Sequence, residues 1–164
     1  IALLVREALM MPEKRIAVVT PDRALARRVA QHCERWNIAA DDSAGRPLSL
    51  TPAGQLFGLL AEIAAHGPDA GVLIAAFNHP LVRGHDGEAR RAWLHGLRAF
   101  DRELRGPSPA PGIEPLRAAA AKAGVGAWWK EAEALIAPLL GWPQDVAFDE
   151  ALAILASAAE ACAG

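Results

Sequence analysis

Asp22, Asp41 and Asp42 are the side chains of this sequence whose type and spacing come nearest to a reactive group. Asp22 follows the apolar run Ile16-Ala17-Val18-Val19, and Asp41 and Asp42 follow a shorter run that starts at Ile38. If those runs are neighbouring parallel strands, the carboxylates lie at the strands' carboxyl ends. There, doubly wound folds bind ligands, and Mg²⁺ can be held by oxygen ligands. A plainer role competes: Asp22 in a first helical turn favours the positive end of the helix dipole, and an Asp-Asp pair opens a turn. His79 and His85 flank a loop without a third ligand, so they read as surface residues. Trp128 and Trp129 could stack on bases, yet one of an adjacent pair on a helix must face the core while the other lies over it. The sequence has no G-x-x-x-x-G-K-[ST] loop to cradle a triphosphate, and no H-E-x-x-H, C-x-x-C or G-x-S-x-G.

The elements that must position these groups begin at Arg15. The unbroken, partly β-branched run over 16–19 suits a short strand covered on both faces. Thr20 offers a capping hydroxyl, and Pro21 fits a first helical position, where no amide hydrogen is missed. Leu25, Val29, Cys33 and Trp36 then recur at helical spacing as one apolar stripe, with Arg23, Arg27, Arg28 and Arg35 largely off it. Asn37 closes the helix, and 38–43 is short enough to be the next parallel strand before the turn Ala44-Gly45-Arg46-Pro47. The fold class expected is therefore α/β and helix-rich: a small βαβ unit with short parallel strands, followed by a mostly α-helical extension.

Composition bounds the rest. A chain of 164 residues makes one ordinary domain or two small ones, with a core that needs no staples. A hydrophobic content of 52% with only 5% aromatic points to packed helices. A net charge of −2 argues against a generally basic nucleic-acid binder, while leaving local patches open. Two distant cysteines on apolar helix faces form no metal spacing and no disulfide framework, which implies a reducing, cytoplasmic compartment. No signal peptide and no membrane-spanning run is present in the sequence, so no membrane partner is expected. The chain begins at Ile1 rather than methionine, and the expectation is a piece of a longer protein.

Along the chain, a short helix over 1–10 ends at Pro12. Thr51-Pro52 repeats the cap-then-proline device and starts a helix through Leu56, Leu59, Leu60 and Ile63 that ends near His66-Gly67-Pro68. A helix over 69–77 stops at Asn78-His79-Pro80. The polar stretch 83–87 marks a boundary, giving domains at 1–84 and 85–164. The helix over 88–105 buries Trp93, Leu94, Leu97, Phe100 and Leu104, and carries Arg91, Arg98, Arg102 and Arg105 along another side. That stripe can meet phosphates, or be a solvated face partly neutralised by Asp101 and Glu103. A stiff proline-rich spacer over 106–112 leads to helices over 113–123, 127–140 and 148–163, with Gly141-Trp142-Pro143 between the last two.

The run REALMMPEKRIAVVTPDRALARRVAQHCERWNIAADDSAGRPLSLTP, residues 6–52, resembles the AddB family of the alphaproteobacterial type, double-strand break repair subunits of AddAB helicase-nucleases. The most specific parts are VTPDRALARRV at 19–29 and DDSAGRPL at 41–48. Weaker similarity continues through AAFNHPLVRG at 75–84 and WLHGLRAFDRELRGPSPAPG at 93–112. The resemblance implies that 1–84 is part of a second RecA-like, helicase-like domain and 85–164 its helical insertion. In active helicases of the UvrD type, to which the first part of the AddB family is similar, the strand matching 16–20 is followed by a tyrosine-arginine pair whose arginine reaches nucleotide phosphates. Here Thr20-Pro21 stands in that place, and proline donates no hydrogen bond.

What the resemblance implies for function is a non-catalytic, DNA-handling scaffold for recombinational repair, itself not an enzyme. ATP would be used by the AddA-type partner subunit, and the family's iron–sulfur cluster and nuclease Mg²⁺ belong to a C-terminal region, so no catalytic residue, metal or cofactor is expected in this chain. The partners implied are single-stranded DNA, broken duplex ends and the AddA-type subunit. DNA contact is expected at Arg23 and Arg27 at the helix start and at Ser43 and Arg46 in the turn after the second strand, where backbone amides and a guanidinium face a phosphate. Two other readings stand beside it. One is a small Mg-dependent phosphate-handling or signalling α/β domain using Asp22, Asp41 and Asp42. The other is a helical module that docks a protein through exposed tryptophans and the arginine stripe.

Overall fold

No strand forms among the described residues, 1–106, 109–142 and 145–164, of the computed structural model. This overturns the expected α/β class with its RecA-like βαβ unit. Residues 15–20 and 38–43 carry no regular helix or strand and make no backbone hydrogen bond to one another. The physical reason is a lack of cover: parallel strands are stable when buried on both faces among further strands. Here Val18 is 43% and Val19 95% exposed, so the run that reads as a buried strand stays open to solvent.

The chain divides into two units, Ile1–Arg46 and Pro47–Gly164. The first holds α1 (Ala2–Ala8) and α2 (Arg23–Glu34), which pack on each other. The Arg6 guanidinium lies 5.1 Å from the centre of the Trp36 ring, a cation–π contact worth about 0.5–1 kcal/mol when exposed. The α2 cap is Asp22 rather than Thr20: the Asp22 carboxylate accepts the amides of Ala24 and Leu25, and the Thr20 hydroxyl oxygen accepts that of Asp22. A carboxylate next to three free amide donors outcompetes a hydroxyl two residues earlier. Asn37 does close the segment, in left-handed conformation (φ +56°), with Ile38 N–H donating to Cys33 O and Asn37 N–H to Glu34 O. That pair of bonds is a Schellman motif.

The second unit is built from α3 (Pro52–His66), α4 (Ala70–Asn78), α5 (Gly87–Leu104), α6 (Ile113–Lys122), α7 (Gly126–Ile136) and α8 (Phe148–Ala163). The starts of α3, α4 and α5 follow capping chemistry. The Thr51 hydroxyl oxygen accepts Gly54 N–H with Pro52 at the first helical position, and Asp69 and Asp86 cap α4 and α5. The boundary expected at residue 84 falls inside this unit, where α4 and α5 share one core. Of the expected spacer, Pro107 and Ser108 lie outside the described residues, as does Pro143 of the later break.

The core runs through Leu60, Ile63, Leu73, Phe77, Phe100, Leu116, Ile136 and Leu139, each fully buried or nearly so. Side chains of this kind contribute about 1.5–3 kcal/mol apiece on leaving water. At its centre, Phe77, Trp93, Phe100, Trp128 and Trp129 pack as one aromatic cluster with ring centres 5.0–6.3 Å apart. Trp129 is buried, and Trp128 is half-buried over Gly96, so neither ring is the exposed stacking or docking surface that the sequence left open. Arg90 reaches back from α5 and donates to the carbonyls of Asn78 (2.8 Å) and Val82 (2.6 Å), closing the end of α4. Trp93 Nε1 donates to Phe77 O at 2.9 Å beside it. No described helix is long and apolar enough to cross a membrane.

Candidate nucleic-acid interface

The sequence between Asp22 and Arg46 brings a helix start and a tight turn together through one arginine. Asp22 starts α2 by holding two of its free amides, which fixes Arg23 as the first helical residue. In the turn, Gly45 N–H donates to Asp42 O at 2.8 Å, and the Asp42 carboxylate accepts Ala44 N–H at 3.1 Å. Gly45 sits at φ +66°, where a side chain would be strained, so the turn requires glycine there. Arg23 spans the two pieces, donating from one guanidinium nitrogen to Asp42 Oδ1 at 3.0 Å and from the other to Gly45 O at 2.8 Å.

This clamp has an electrostatic consequence. The Ala44 amide first, and then the Arg23 guanidinium, hold the Asp42 carboxyl below the usual carboxylate range. Asp42 is thus ionised at neutral pH and cancels part of the Arg23 charge. Arg27 Nε donates to Arg23 O at 3.2 Å, which lays its stem back along α2 while the residue stays exposed. Ser43 and Arg46 are exposed on the turn, and neither makes a hydrogen bond among the described residues. The structure therefore gathers Arg23 with the turn that carries Ser43 and Arg46, and leaves Arg27 one helical turn further along.

Compared with known protein families, curated proteins and solved structures, the chain matches none. The site has to be read from its own chemistry.

Among the described residues, the aspartates are not gathered into a cluster. Asp22 uses its carboxylate as the α2 cap and Asp42 is paired to Arg23. Among the described residues, no three metal-ligating side chains converge. His79 is buried to 8% exposure, its Nδ1 accepts Leu81 N–H at 3.3 Å, and burial with Arg90 nearby pushes the imidazole down in pKa. It is a neutral turn-holding group rather than a ligand, and His85 is exposed. Burial pushes the Cys162 thiol up to about 11, which leaves it no nucleophile at neutral pH.

What the surface can do is meet an anion. In the first unit cationic side chains outnumber acidic ones, whereas in the second the reverse holds. Sequence reasoning found Arg23 but missed its partners, because Asp42 and Gly45 lie about twenty residues away and nothing local signals the pairing. It also missed Arg90 as a helix-closing group, since an arginine just after a helix N-terminus carries no such sign.

Proposed function

We propose that this chain is a non-catalytic segment of an AddB-type subunit, a DNA-handling scaffold in the cytoplasm. It holds and guides single strands and broken duplex ends for recombinational repair while an AddA-type partner supplies ATP-driven unwinding. The observation that carries the reading is a coincidence of two independent features. The runs most similar to that family, 19–29 and 41–48, are the two that Arg23 clamps together, so the resemblance falls on one surface rather than on scattered positions. That surface supports phosphate contact through Arg46, Ser43 and the exposed part of Arg27, all open to solvent. The reading rests on the resemblance together with this surface and invokes no RecA-like sheet. The family's iron–sulfur cluster, nuclease metal and ATP site remain with other parts of the assembly.

The test is Arg46→Ala in the parent subunit assembled with its AddA-type partner. Arg46 is chosen over Arg23 because removing Arg23 would also release the turn. Single-strand binding should weaken, and the slope of log K against log salt should flatten by about 0.7, the share of one phosphate contact on a single strand. An unchanged slope refutes the assignment.

A further inference from the structure

A second cationic surface stands apart from the first unit. On α5, Arg91, Arg98 and Arg102 fall at i, i+7 and i+11, which at 100° per residue places all three within a narrow arc of the helix surface. His95 lies in the same arc, and all four residues are exposed. The opposite side of α5 carries Trp93, Leu97 and Phe100 into the core, so the helix is anchored and the arc is held outward.

The other arginines of this unit have work within the fold. Arg83 pairs with Glu131, Arg90 closes α4, Arg105 pairs with Asp101 at 2.7 Å, and Arg117 bridges Glu114 and Glu133. Glu103, next to Arg102 in sequence, is drawn off by Lys122 at 2.5 Å, and Glu88, one turn before Arg91, makes no ion pair with it. Among the described residues, Arg91, Arg98 and Arg102 are the arginines of this unit with neither an ion pair nor a hydrogen-bond partner. Three unneutralised guanidinium groups aligned on a unit whose net charge is negative make a local stripe, not a by-product of a basic protein.

We infer that this face of α5 binds the phosphodiester backbone of a nucleic acid. The stripe spans eleven helical steps from Arg91 to Arg102, about 16 Å at the helical rise, or about four to five phosphate spacings along a stacked strand. Guanidinium forks match phosphate oxygens two at a time, which an unbranched ammonium does not. A linear row of guanidinium groups without interleaved apolar anchors fits a charged polymer backbone better than a protein epitope, whose centre is an apolar or aromatic pocket filler. The inference does not depend on the resemblance over residues 6–52, since it stands on the charges of α5 alone.

The experiment uses the full chain, a fluorescent oligothymidine of about 20 nucleotides, its duplex counterpart and a poly-glutamate peptide of similar charge. The triple variant Arg91→Gln/Arg98→Gln/Arg102→Gln should bind the oligonucleotide more weakly, and the slope of log K against log salt should flatten by about 2 for the single strand. Lys130→Gln, an exposed charge removed from α7, should leave affinity and slope within error. The triple lysine variant should recover the slope but only part of the affinity. These positions are exposed, and an unchanged circular dichroism melt verifies that the variants fold. An oligonucleotide slope insensitive to the triple variant overturns the inference, as does absence of binding by the intact chain at low salt. Equal or tighter binding of poly-glutamate overturns it too, assigning the stripe to an acidic protein segment. Arg46→Ala in the same chain separates the two surfaces, because its failure leaves the α5 result untouched.

Discussion

Gly96→Ala should destabilise the second unit even though alanine is the better helix former. A Cβ built at Gly96 would stand 2.4 Å from Cγ, 2.5 Å from Cδ1 and 3.0 Å from Cδ2 of Trp128. Carbon atoms rest about 3.5–4.0 Å apart, so the indole would have to retreat by about 1 Å. It has little room, with Trp93, Phe100 and Phe77 at centroid distances of 5.2, 5.5 and 6.0 Å. Overpacking of such a site costs about 1–3 kcal/mol, and displaced aromatic pairs add about 0.5–1.5 kcal/mol. The gain in helix propensity offsets about 1 kcal/mol. The net expectation is a loss of about 1–3 kcal/mol, read as a fall in Tm of about 4 °C per kcal/mol in a unit of this size. Gly58→Ala on α3 supplies the opposite sign: its Cβ meets nothing within 4 Å, so the same substitution should raise stability by up to about 1 kcal/mol. Urea and thermal melts followed by tryptophan fluorescence measure both. Adding Trp128→Leu to Gly96→Ala should recover part of the loss as a coupling energy. A Gly96→Ala variant as stable as the parent would refute the account of how α5 and α7 approach each other.

Two further expectations concern Arg90 and Asp42. Arg90→Gln leaves the carbonyls of Asn78 and Val82 without their donor and should lower second-unit stability by about 1–3 kcal/mol in urea melts, whereas Arg90→Lys restores only part. Asp42 has its carboxyl held low, so its contribution to the first unit is present above the ordinary carboxylate pKa and is lost as pH falls through the lowered value. A carbon-detected NMR titration of Asp42 should give a midpoint below 3.8, accompanied by loosening of the Arg23 clamp, and Arg23→Gln should move that midpoint upward.

The helices of the second unit were legible from the spacing of their apolar residues, with a capping residue as a second sign at the start of α3. Thr51-Pro52 marks the start of α3, the spacing of apolar residues places the next two starts at 69 and 88, and α3, α4 and α5 begin at Pro52, Ala70 and Gly87. The start of α2 was less so, since Thr20-Pro21 and Asp22 both offer caps and the choice depends on which oxygen reaches the amides. The strands were misread for a different reason. An apolar β-branched run reports that a segment tolerates burial, but pairing needs a neighbouring strand, and Ile16 to Val19 have none among the described residues. At the candidate interface, exposure of Arg27, Ser43 and Arg46 followed from their place off the apolar stripe or in a turn. The Arg23 clamp did not, being a contact between positions 19 and 22 residues apart.

The two cationic surfaces are held in place by different physics, and this bears on how each would meet a polyanion. In the first unit only Cys33 is buried, so burial offsets little of the conformational entropy of 46 residues. Its shape depends on local devices: the Asp22 cap, the Schellman closure at Asn37, and the Arg23 bonds to Asp42 and Gly45. Arg46 and Ser43 are positioned by a turn held by the Asp42 carboxylate, one backbone bond and Arg23, and binding there carries an ordering cost whenever that turn opens. On α5, by contrast, Trp93, Leu97 and Phe100 lock the helix to a shared core, so Arg91, Arg98 and Arg102 keep their spacing whether or not a ligand is present. A preorganised row loses only side-chain rotamer freedom on binding. The first surface is thus the one whose geometry a ligand can reshape, and the α5 face is the one whose geometry selects the ligand.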